Sequence, residues 1–189
     1  MIWFTADEHY GHANIIRYCD RPFATVEEMN EEIIRRHNEV VQEGDVVYHL
    51  GDFTFGKPEQ YSNRLRGRHV FLQGNHDRKN LHHPQILRLK WEDTCGERQV
   101  IVMCHYAMRV WDKSHFNSWQ LFGHSHGTLE EVGKQLDVGV DTHDFYPYSI
   151  EEVAEIMETK DDNPNYFMNL PGVKKGLVDD LIEEETGSE

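Results

Sequence analysis

Short apolar segments alternate along the chain with polar or glycine-rich stretches. Six segments of three to five residues are rich in β-branched and aromatic side chains, which is typical of strands covered on both faces of a sheet. These segments span residues 2–5, 46–50, 70–72, 100–103, 119–122 and 136–140. The pattern therefore predicts six strands.

Two capping boxes and one proline predict helices between and after these strands. A Ser or Thr three residues before a Glu can satisfy free N–H groups of a first helical turn, and both Thr25 and Ser149 begin this pattern. Pro58 suits the first turn of a short third helix. Strands alternating with helices early in the chain favour a layered α/β fold with a mixed sheet. The buried faces predicted for the two capped helices are Met29, Ile33, His37 and Val40, and Val153, Ile156 and Met157.

Length and charge set the expected domain organisation and partners. A chain of 189 residues suffices for one domain, which we expect at residues 1–160, followed by a loosely attached acidic tail at 161–189. The net charge of −15 argues against nucleic acid or anionic lipid held by bulk charge. Because residues 151–189 hold 12 acidic and three basic residues, the rest of the chain is less acidic. Nucleic acid therefore stays open as a partner, although no sequence feature supports it.

Cysteine usage and hydropathy predict a cytoplasmic protein. Cys19, Cys95 and Cys104 are odd in number and have no C-x-x-C spacing, so we expect reduced thiols. No apolar run approaches the ~20 residues that span a bilayer, and the first residues lack the basic start of a signal peptide. We therefore expect no membrane partner. The oligomeric state is left open.

Side chains able to bind metal follow five of the predicted strands. Asp7 and His9 come after the first strand, and His105 comes after the strand at residues 100–103. Because ligands gather at the carboxyl ends of mainly parallel strands, we expect these loops to converge on one crevice. The candidate metal ligands are Asp7, His9, Asp52, Asn75, His105, His124 and His126.

The types of donor in this set indicate which metals it would bind. Carboxylate, amide and imidazole groups suit Mn²⁺, Fe, Zn²⁺, Ni²⁺ or Co²⁺, and no thiolate takes part. Seven donors exceed what one ion with open positions can use, and they suit two ions about 3.5–4 Å apart. Asp52 lies between glycine-bearing turns and is the natural carboxylate to bridge two ions.

The order of these motifs resembles a known family. D-x-H, G-D, G-N-H-D, H and G-H-x-H occur in this sequence over residues 7–126 and are similar to those of the calcineurin-like metallophosphoesterases. The run D-E-H-Y-G-H-A-N-I-I at residues 7–16 is similar to small bacterial and phage members in particular. The resemblance covers residues 2 to about 145. It implies a four-layer α/β/β/α sandwich with two mixed β-sheets.

The resemblance also implies roles for single residues. His76 would contact the phosphoryl group or the leaving oxygen, and Asp77 would orient His76. The implied reaction is hydrolysis of a phosphate ester by in-line attack of a hydroxide that bridges two divalent ions, with manganese as the first choice. One ion would be held by Asp7, His9, Asp52 and His126, and the other by Asp52, Asn75, His105 and His124.

One departure from the family bears on the substrate. The protein phosphatases of this family have G-D-x-x-D-R, whereas this chain has G-D-F-T-F-G at residues 51–56. A phosphodiester, which carries less charge, is therefore slightly favoured over a phosphomonoester, and the expected partner is a small-molecule or nucleotide phosphate ester. The alternative is a non-catalytic metal-binding scaffold or interaction domain on the same fold. Four other arginines could supply the positive charge that the missing motif arginine would give, or they could be ordinary surface or salt-bridge residues. They are Arg17, Arg21, Arg78 and Arg109.

His12 and Asn14 allow two interpretations. They could contact the substrate or the metal ligands. Alternatively, Asn14 could be the N-cap of a helix. Histidines outside the motifs, including His37 and His69, are expected to be packed or solvated.

Overall fold

Two four-stranded sheets form the framework of the protein. The computed structural model describes residues 1–77 and 82–169. The first sheet has the strand order β3, β2, β1, β8, and the second has the order β4, β5, β6, β7. The strands are β1 (Ile2–Thr5), β2 (Val46–His49), β3 (Arg68–Phe71), β4 (Ile86–Glu92), β5 (Arg98–Cys104), β6 (Trp119–Phe122), β7 (Gln135–Asp137) and β8 (Tyr148–Ser149).

Both sheets are mixed. In the first sheet β1, β2 and β3 run parallel, and β8 pairs with β1 in the antiparallel direction. In the second sheet β5, β6 and β7 run parallel, and β4 is antiparallel to β5. An α/β fold with two mixed sheets is therefore confirmed, and the parallel strands bring their carboxyl ends to one edge of each sheet.

The predicted helices form where their capping residues stand. The described helices are α1 (Ala13–Tyr18), α2 (Val26–Val40), α3 (Glu59–Ser62) and α4 (Ile150–Thr159). Thr25 caps α2 by accepting the N–H of Glu28, and Ser149 forms a complete capping box with Glu152 at the start of α4. Pro58 is the N-cap of α3.

The buried apolar residues fall into two clusters. One cluster draws on both sheets and on α4, with Phe4, Leu121 and Val153 among its members. The other contains Met29 and Ile33 of α2 and lies beside the loop that follows β1. The two sheets therefore share one core through their strands, and α2 covers a separate apolar cluster.

Two strands are absent from the sequence prediction, and two are shorter than predicted: β2 by one residue and β7 by two. β4 has alternating exposed and half-buried residues that include Arg88 and Lys90, so it lacks a continuous apolar run. β8 has only two residues. β7 ends at Asp137, and a 3-10 helix begins at Val140 because the chain turns there toward the first sheet.

The predicted tail begins with a segment that is held firmly. The side chain of Asn163 is completely buried and donates hydrogen bonds to the carbonyl oxygens of Ser114 (3.0 Å) and Ser118 (2.9 Å). Its own side-chain oxygen accepts the N–H of Lys134 at 2.8 Å. Residues 162–165 therefore contact the loop at residues 114–118, whereas residues 170–189 lie outside the described part of the chain, and the loose attachment of the tail stays a prediction.

Two other sequence expectations concern thiols and membranes. Cys19, Cys95 and Cys104 are all free thiols. Within the described residues, no helix has both the length and the apolar character needed to cross a bilayer.

Candidate metal centre

The loops that follow the parallel strands meet at one edge of the two sheets. The parallel pairing of β1 and β2 continues past the ends of the strands, because Asp7 N–H donates to Gly51 O (3.1 Å) and His9 N–H to Asp52 O (3.0 Å). Across the two sheets, Asp7 Oδ2 accepts the N–H of His124 at 2.7 Å. The side chains that follow β1 and β2 therefore face those that follow β5 and β6.

The predicted ligands form two adjacent groups, with Asp52 between them. One metal-binding group consists of Asp7, His9 and His126, and the other of Asp52, His105 and His124. Within each group, one donor atom from every residue lies within 4.8 Å of the others. Asp52 Oδ2 joins the groups, since it lies 3.7 Å from His9 Nε2 and 3.5 Å from His105 Nε2.

Asn75 completes the set of seven predicted ligands. Its Oδ1 lies 3.0 Å from His105 Nε2. The other ring nitrogen of His105, Nδ1, donates to the carbonyl oxygen of Leu50 at 2.9 Å, so Nε2 carries the free lone pair. The structure thus brings all seven side chains to one place, although they come from five separate segments of the sequence.

The backbone at this edge is strained where the ligands stand. Asp7, His9, Asp52, His124 and His126 all have positive φ angles, between 47° and 68°. Non-glycine residues seldom adopt this left-handed conformation, and it concentrates at functional sites. This left-handed conformation directs each of these side chains toward the candidate metal centre, a few residues after a strand ends.

Glycines make room for the two carboxylates. A Cβ at Gly74 would lie 2.2 Å from Asp52 Oδ1, and a Cβ at Gly123 would lie 2.6 Å from Asp7 Oδ2. No larger residue fits at either position without moving a carboxylate.

Buried polar atoms without partners show that the residues fit a bound cation. Asp7 Oδ1 and both ring nitrogens of His9 are buried and have no hydrogen-bond partner. Such groups are rare in proteins unless an ion or ordered water satisfies them. Burial, reinforced by the charges of Asp52 and Asp137, raises the pKa of the Asp7 carboxyl well above its usual value. The buried carboxylates have too little positive charge around them, so bound divalent cations would compensate their negative charge.

The histidines are held in the neutral form that binds metals. Burial lowers the pKa of His9 to about 3, and it also lowers that of His124. For Asp52, burial alone would raise the pKa, but the interaction with the neighbouring His105 and the hydrogen bond from the His76 backbone outweigh it and lower the pKa. Asp52 is therefore a carboxylate at neutral pH, as a bridging ligand requires.

His76 lies at the open side of the centre. Its side chain is 46% exposed, and its Nε2 lies 3.9 Å from Asp52 Oδ2. The prediction that Asp77 orients this ring does not match the hydrogen bonds of Asp77. Its carboxylate instead accepts backbone N–H groups of Asp52 (2.8 Å), Phe53 (3.0 Å) and Gly74 (2.8 Å). Asp77 therefore fixes the backbone beside Asp52.

Comparison with known proteins identifies relatives of similar length. No family model matches the chain. The chain is 33% identical over 176 residues to the uncharacterized protein MJ1445 of Methanocaldococcus jannaschii, covering 83% of this chain and 91% of that protein. It belongs to the MJ1445 family. It is also 27% identical over 195 residues to the gene 66 protein of Mycobacterium phage D29, covering 82% and 95% of the two chains.

A solved structure shares the fold of this MJ1445-family protein. The protein of unknown function AQ665 from Aquifex aeolicus superimposes with a TM-score of 0.61, covering 82% of this chain and 98% of that one. The two sequences are 22% identical, so the comparison concerns the fold alone.

In this MJ1445-family protein, Arg21 is buried and does not supply a free cation. Its guanidinium forms a two-pronged ion pair with Asp141, with both N···O distances at 2.7 Å. It also donates to the backbone oxygens of Asp7 (2.7 Å) and Glu8 (3.0 Å). Asp141 Oδ2 in turn lies 2.7 Å from His126 Nδ1, which leaves His126 Nε2 for a metal.

Several residues that support the centre carry no motif in the sequence. Asp141 was not a candidate, although it contacts His126. Asp137 was not one either, although its Oδ2 accepts Ser125 Oγ–H (2.5 Å) and Gly127 N–H (2.9 Å), which brace the loop carrying His124 and His126. The acidic types of the two residues were visible in the sequence, but nothing in the local spacing linked them to the loop.

The remaining sequence candidates have distinct positions. Asn14 is not an N-cap, because His12 occupies that position and α1 begins at Ala13. Arg17 and Arg109 are exposed. Arg78 lies outside the described residues.

A row of buried histidines lies behind the centre in this MJ1445-family protein. His49 Nδ1 contacts Glu8 Oε1 at 2.5 Å, and His49 Nε2 lies 2.9 Å from His69 Nδ1. His37 of α2 stacks near both rings and donates from Nε2 to Arg66 O at 2.9 Å. Burial raises the pKa of Glu8 and lowers the pKa of His49, so both partners of this contact favour the neutral form.

Proposed function

We propose that the protein is a dinuclear metal-dependent phosphoesterase. The observation that carries the proposal is the convergence of seven donors around Asp52 Oδ2, together with the partnerless buried atoms of Asp7 and His9. In the proposal, the fold is the four-layer α/β/β/α sandwich of the family that the motifs resemble, and the protein acts in the cytoplasm.

The proposal assigns ligands to two ions. When bound, two divalent ions would supply a nucleophile from water at neutral pH and offset the negative charge of a phosphate ester. Manganese is the first choice, and iron, zinc, nickel or cobalt also suit these donors. One ion would be held by Asp7, His9, Asp52 and His126, and the other by Asp52, Asn75, His105 and His124.

His76 is the proposed general acid. Its exposed ring lies beside Asp52, so a substrate above the centre can reach Nε2. A protonated imidazole there can donate to the departing ester oxygen, which would otherwise leave as an alkoxide. The hydrogen bond from His76 N–H to Asp52 Oδ1 (2.8 Å) fixes the backbone of this residue relative to the bridging carboxylate.

The proposal slightly favours phosphodiesters over phosphomonoesters. A monoester dianion needs more local positive charge than a diester monoanion. The guanidinium of Arg21 is paired with Asp141 and with backbone oxygens, so it does not supply that charge to a substrate. A small-molecule or nucleotide diester is the proposed substrate.

Hydrolysis of two chromogenic esters tests the proposal. The protein is stripped with a chelator, reloaded with Mn²⁺ and assayed with bis-p-nitrophenyl phosphate and p-nitrophenyl phosphate. We expect turnover of the diester that is lost with the metal and restored by it, with a higher kcat/KM than for the monoester. If protein shown to contain two metal ions hydrolysed neither ester, the proposed phosphoesterase activity would be contradicted. The non-catalytic metal-binding scaffold would then be favoured. A higher kcat/KM for the monoester would contradict the diester preference alone.

A further inference from the structure

An exposed aromatic surface borders the candidate metal centre. Phe55 is 45% exposed although it follows directly on the buried loop after β2. The Phe55 ring stacks on the His12 ring, with centroids 3.9 Å apart and planes 26° apart. Tyr18, which is 70% exposed, packs edge-on against His12, with ring centroids 6.1 Å apart. We call these three side chains, Phe55, His12 and Tyr18, the aromatic platform.

The platform is adjacent to the groups that would act on a substrate. The centroid of the Phe55 ring lies 5.1 Å from that of His76 and 6.0 Å from that of His9. A group attached to a phosphate ester above the centre would therefore be within reach of the exposed part of the Phe55 ring.

Backbone hydrogen bonds hold Phe55 in its exposed position. Its N–H donates to Tyr10 O at 3.0 Å, and the hydroxyl of Thr54 donates to the same oxygen at 2.9 Å. The N–H of Gly56 then donates to Thr54 Oγ1 at 2.9 Å. A large apolar ring that is exposed but fixed is pre-organised to bind a ligand, because little ordering cost remains to be met on binding.

We propose that the aromatic platform binds a planar aromatic group of the substrate, so that the substrate class is a nucleotide phosphoester. This inference rests on the proposed function of the metal centre. Nucleobases stack on aromatic side chains regardless of base identity, and a half-exposed ring gains most from a flat partner. Phe55 is the platform ring nearest to His76, with centroids 5.1 Å apart against 6.3 Å for His12, so one base fits beside the phosphate and the proposed ligand is of mononucleotide size.

Two matched ligands separate the contribution of the base from that of the phosphate. Adenosine monophosphate and ribose 5-phosphate carry the same phosphomonoester, and only the first carries a base. Binding of each to Mn²⁺-loaded protein is measured by calorimetry, without turnover. We expect adenosine monophosphate to bind about 5- to 50-fold more tightly than ribose 5-phosphate.

Three variants test whether Phe55 is responsible. Phe55→Ala is expected to bring the affinity ratio of the two ligands close to one without changing the affinity for ribose 5-phosphate. Phe55→Trp is expected to keep the ratio. Val132→Ala removes a similarly exposed apolar side chain (48% exposed) before β7 and is expected to leave the ratio unchanged.

The outcomes distinguish the platform from the phosphoesterase. A ratio near one in the unaltered protein would overturn the platform, as would equal weakening of both ligands by Phe55→Ala. If an oligonucleotide bound much more tightly than the mononucleotide, the proposal that the ligand is of mononucleotide size would be contradicted. Base-dependent binding in a protein that hydrolyses no ester would support the platform and contradict the proposed function. Failure to bind either ligand would contradict the platform as well.

Discussion

Asp141 connects the metal ligand His126 to the buried guanidinium of Arg21. Asp141 Oδ2 lies 2.7 Å from both partners, so one carboxylate oxygen orients an imidazole and balances a buried charge. Residues that hydrogen-bond the far nitrogen of a metal-binding histidine fix its orientation and its donor strength. Asp141 is therefore expected to act by orienting the candidate ligand His126.

The first prediction concerns Asp141→Asn. The amide cannot accept hydrogen bonds from Arg21 and His126 as the carboxylate does, and it leaves the Arg21 charge uncompensated. We expect affinity for Mn²⁺ to fall roughly 10–100-fold, with a loss of folding stability of up to about 3–5 kcal/mol. Calorimetric titration and urea unfolding measure the two effects. Asp112→Asn, which alters an exposed ion pair with Arg88, is the control and should change neither. Unchanged metal affinity in Asp141→Asn would contradict the positioning role.

The second prediction separates the proposed acid from a ligand. His76→Ala removes a half-exposed side chain, so we expect the metal content to be unchanged and kcat to fall by ~10²–10⁴. Asn75→Ala should instead lower the metal content, since it removes a donor 3.0 Å from His105 Nε2. Metal analysis and steady-state kinetics on both variants make the comparison. Loss of metal from His76→Ala would show that this residue is a ligand and not an acid.

At the level of residues, the sequence predicts the metal donors better than their supports. Asp7, His9 and Asp52 were identifiable because each follows an apolar strand directly, and the strand carries that position to the sheet edge. Arg21 and Asp141 are 120 positions apart, and neither has a motif around it. Only the folded chain brings them together.

At the level of elements, α2, β2 and β3 meet at the buried histidines. Burial lowers the pKa of His37 to about 3 and that of His69 to about 4. In the unfolded chain histidine titrates near pH 6.5, so below that pH the unfolded state binds protons that the folded state does not bind. The stabilising contribution of these residues is thus complete above pH 6.5 and is lost as the pH falls toward 3–4.

The third prediction is a shallower pH dependence in His37→Gln. Between pH 6.5 and 4.5, removal of one buried titrating group should reduce the slope of unfolding free energy against pH by up to about 1.4 kcal/mol per unit. Urea unfolding at several pH values gives the slopes. His115→Gln, at an exposed site, is the control. If the slope of His37→Gln equalled that of the unaltered protein, His37 would not be the group that titrates.

The fourth prediction concerns the start of α4. Ser149 accepts the N–H of Glu152 at 3.2 Å, and the Glu152 carboxylate accepts the N–H of Ser149 at 2.7 Å. Ser149→Ala breaks this reciprocal cap, and we expect a loss of about 1 kcal/mol in unfolding free energy. Thr159→Ala, at the exposed other end of the helix, should cost less than about 0.5 kcal/mol. Chemical denaturation compares the two variants, and equal losses would contradict the capping role.

Elements were predictable where a local signal was strong. β1 and β6 have the predicted bounds because each is a short segment with three apolar residues out of four, and the motifs that begin at Asp7 and Gly123 follow soon afterwards. β4 was missed because it pairs only with β5, at the edge of its sheet, and therefore alternates exposed and half-buried residues. Its charged positions concealed a strand of seven residues.

At the level of the whole molecule, the metal centre joins the two sheets. Asp7, His9 and Asp52 extend from the first sheet, and His105, His124 and His126 extend from the second. An ion bound by both sides can form its complete set of contacts only when the sheets are docked. Binding is therefore coupled to the stability of the complete fold.

The fifth prediction is a metal-dependent melting temperature. At free Mn²⁺ about 100 times the dissociation constant, binding adds about 2.7 kcal/mol, which raises the Tm of a domain of this size by roughly 5–10 °C. Thermal unfolding with chelator and with Mn²⁺ measures the shift. His124→Ala removes an exposed ligand and should reduce the shift while leaving the Tm in chelator nearly unchanged. A Tm insensitive to metal would contradict a centre shared by both sheets.

The sequence does not predict how the two sheets are arranged or where residues 161–169 pack. Asn163 lies in an acidic, proline-containing stretch that is typical of a solvated tail, yet it is buried against the loop at residues 114–118. A buried asparagine that satisfies distant backbone groups leaves no periodic signal. Apolar patterning reports burial along one strand and not which distant loop a polar side chain will join.

The hydrogen bonds that extend the pairing of β1 and β2 into the ligand loops also determine a length. Adjacent strands lie about 4.8 Å apart, and that spacing is carried through Asp7, His9 and their partners Gly51 and Asp52. The backbone positions of the candidate ligands in these two loops are therefore inherited from the sheet and are independent of which side chains stand there. A designer could exchange carboxylate for imidazole at these positions to change the preferred metal, and the backbone spacing of the two loops would stay the same.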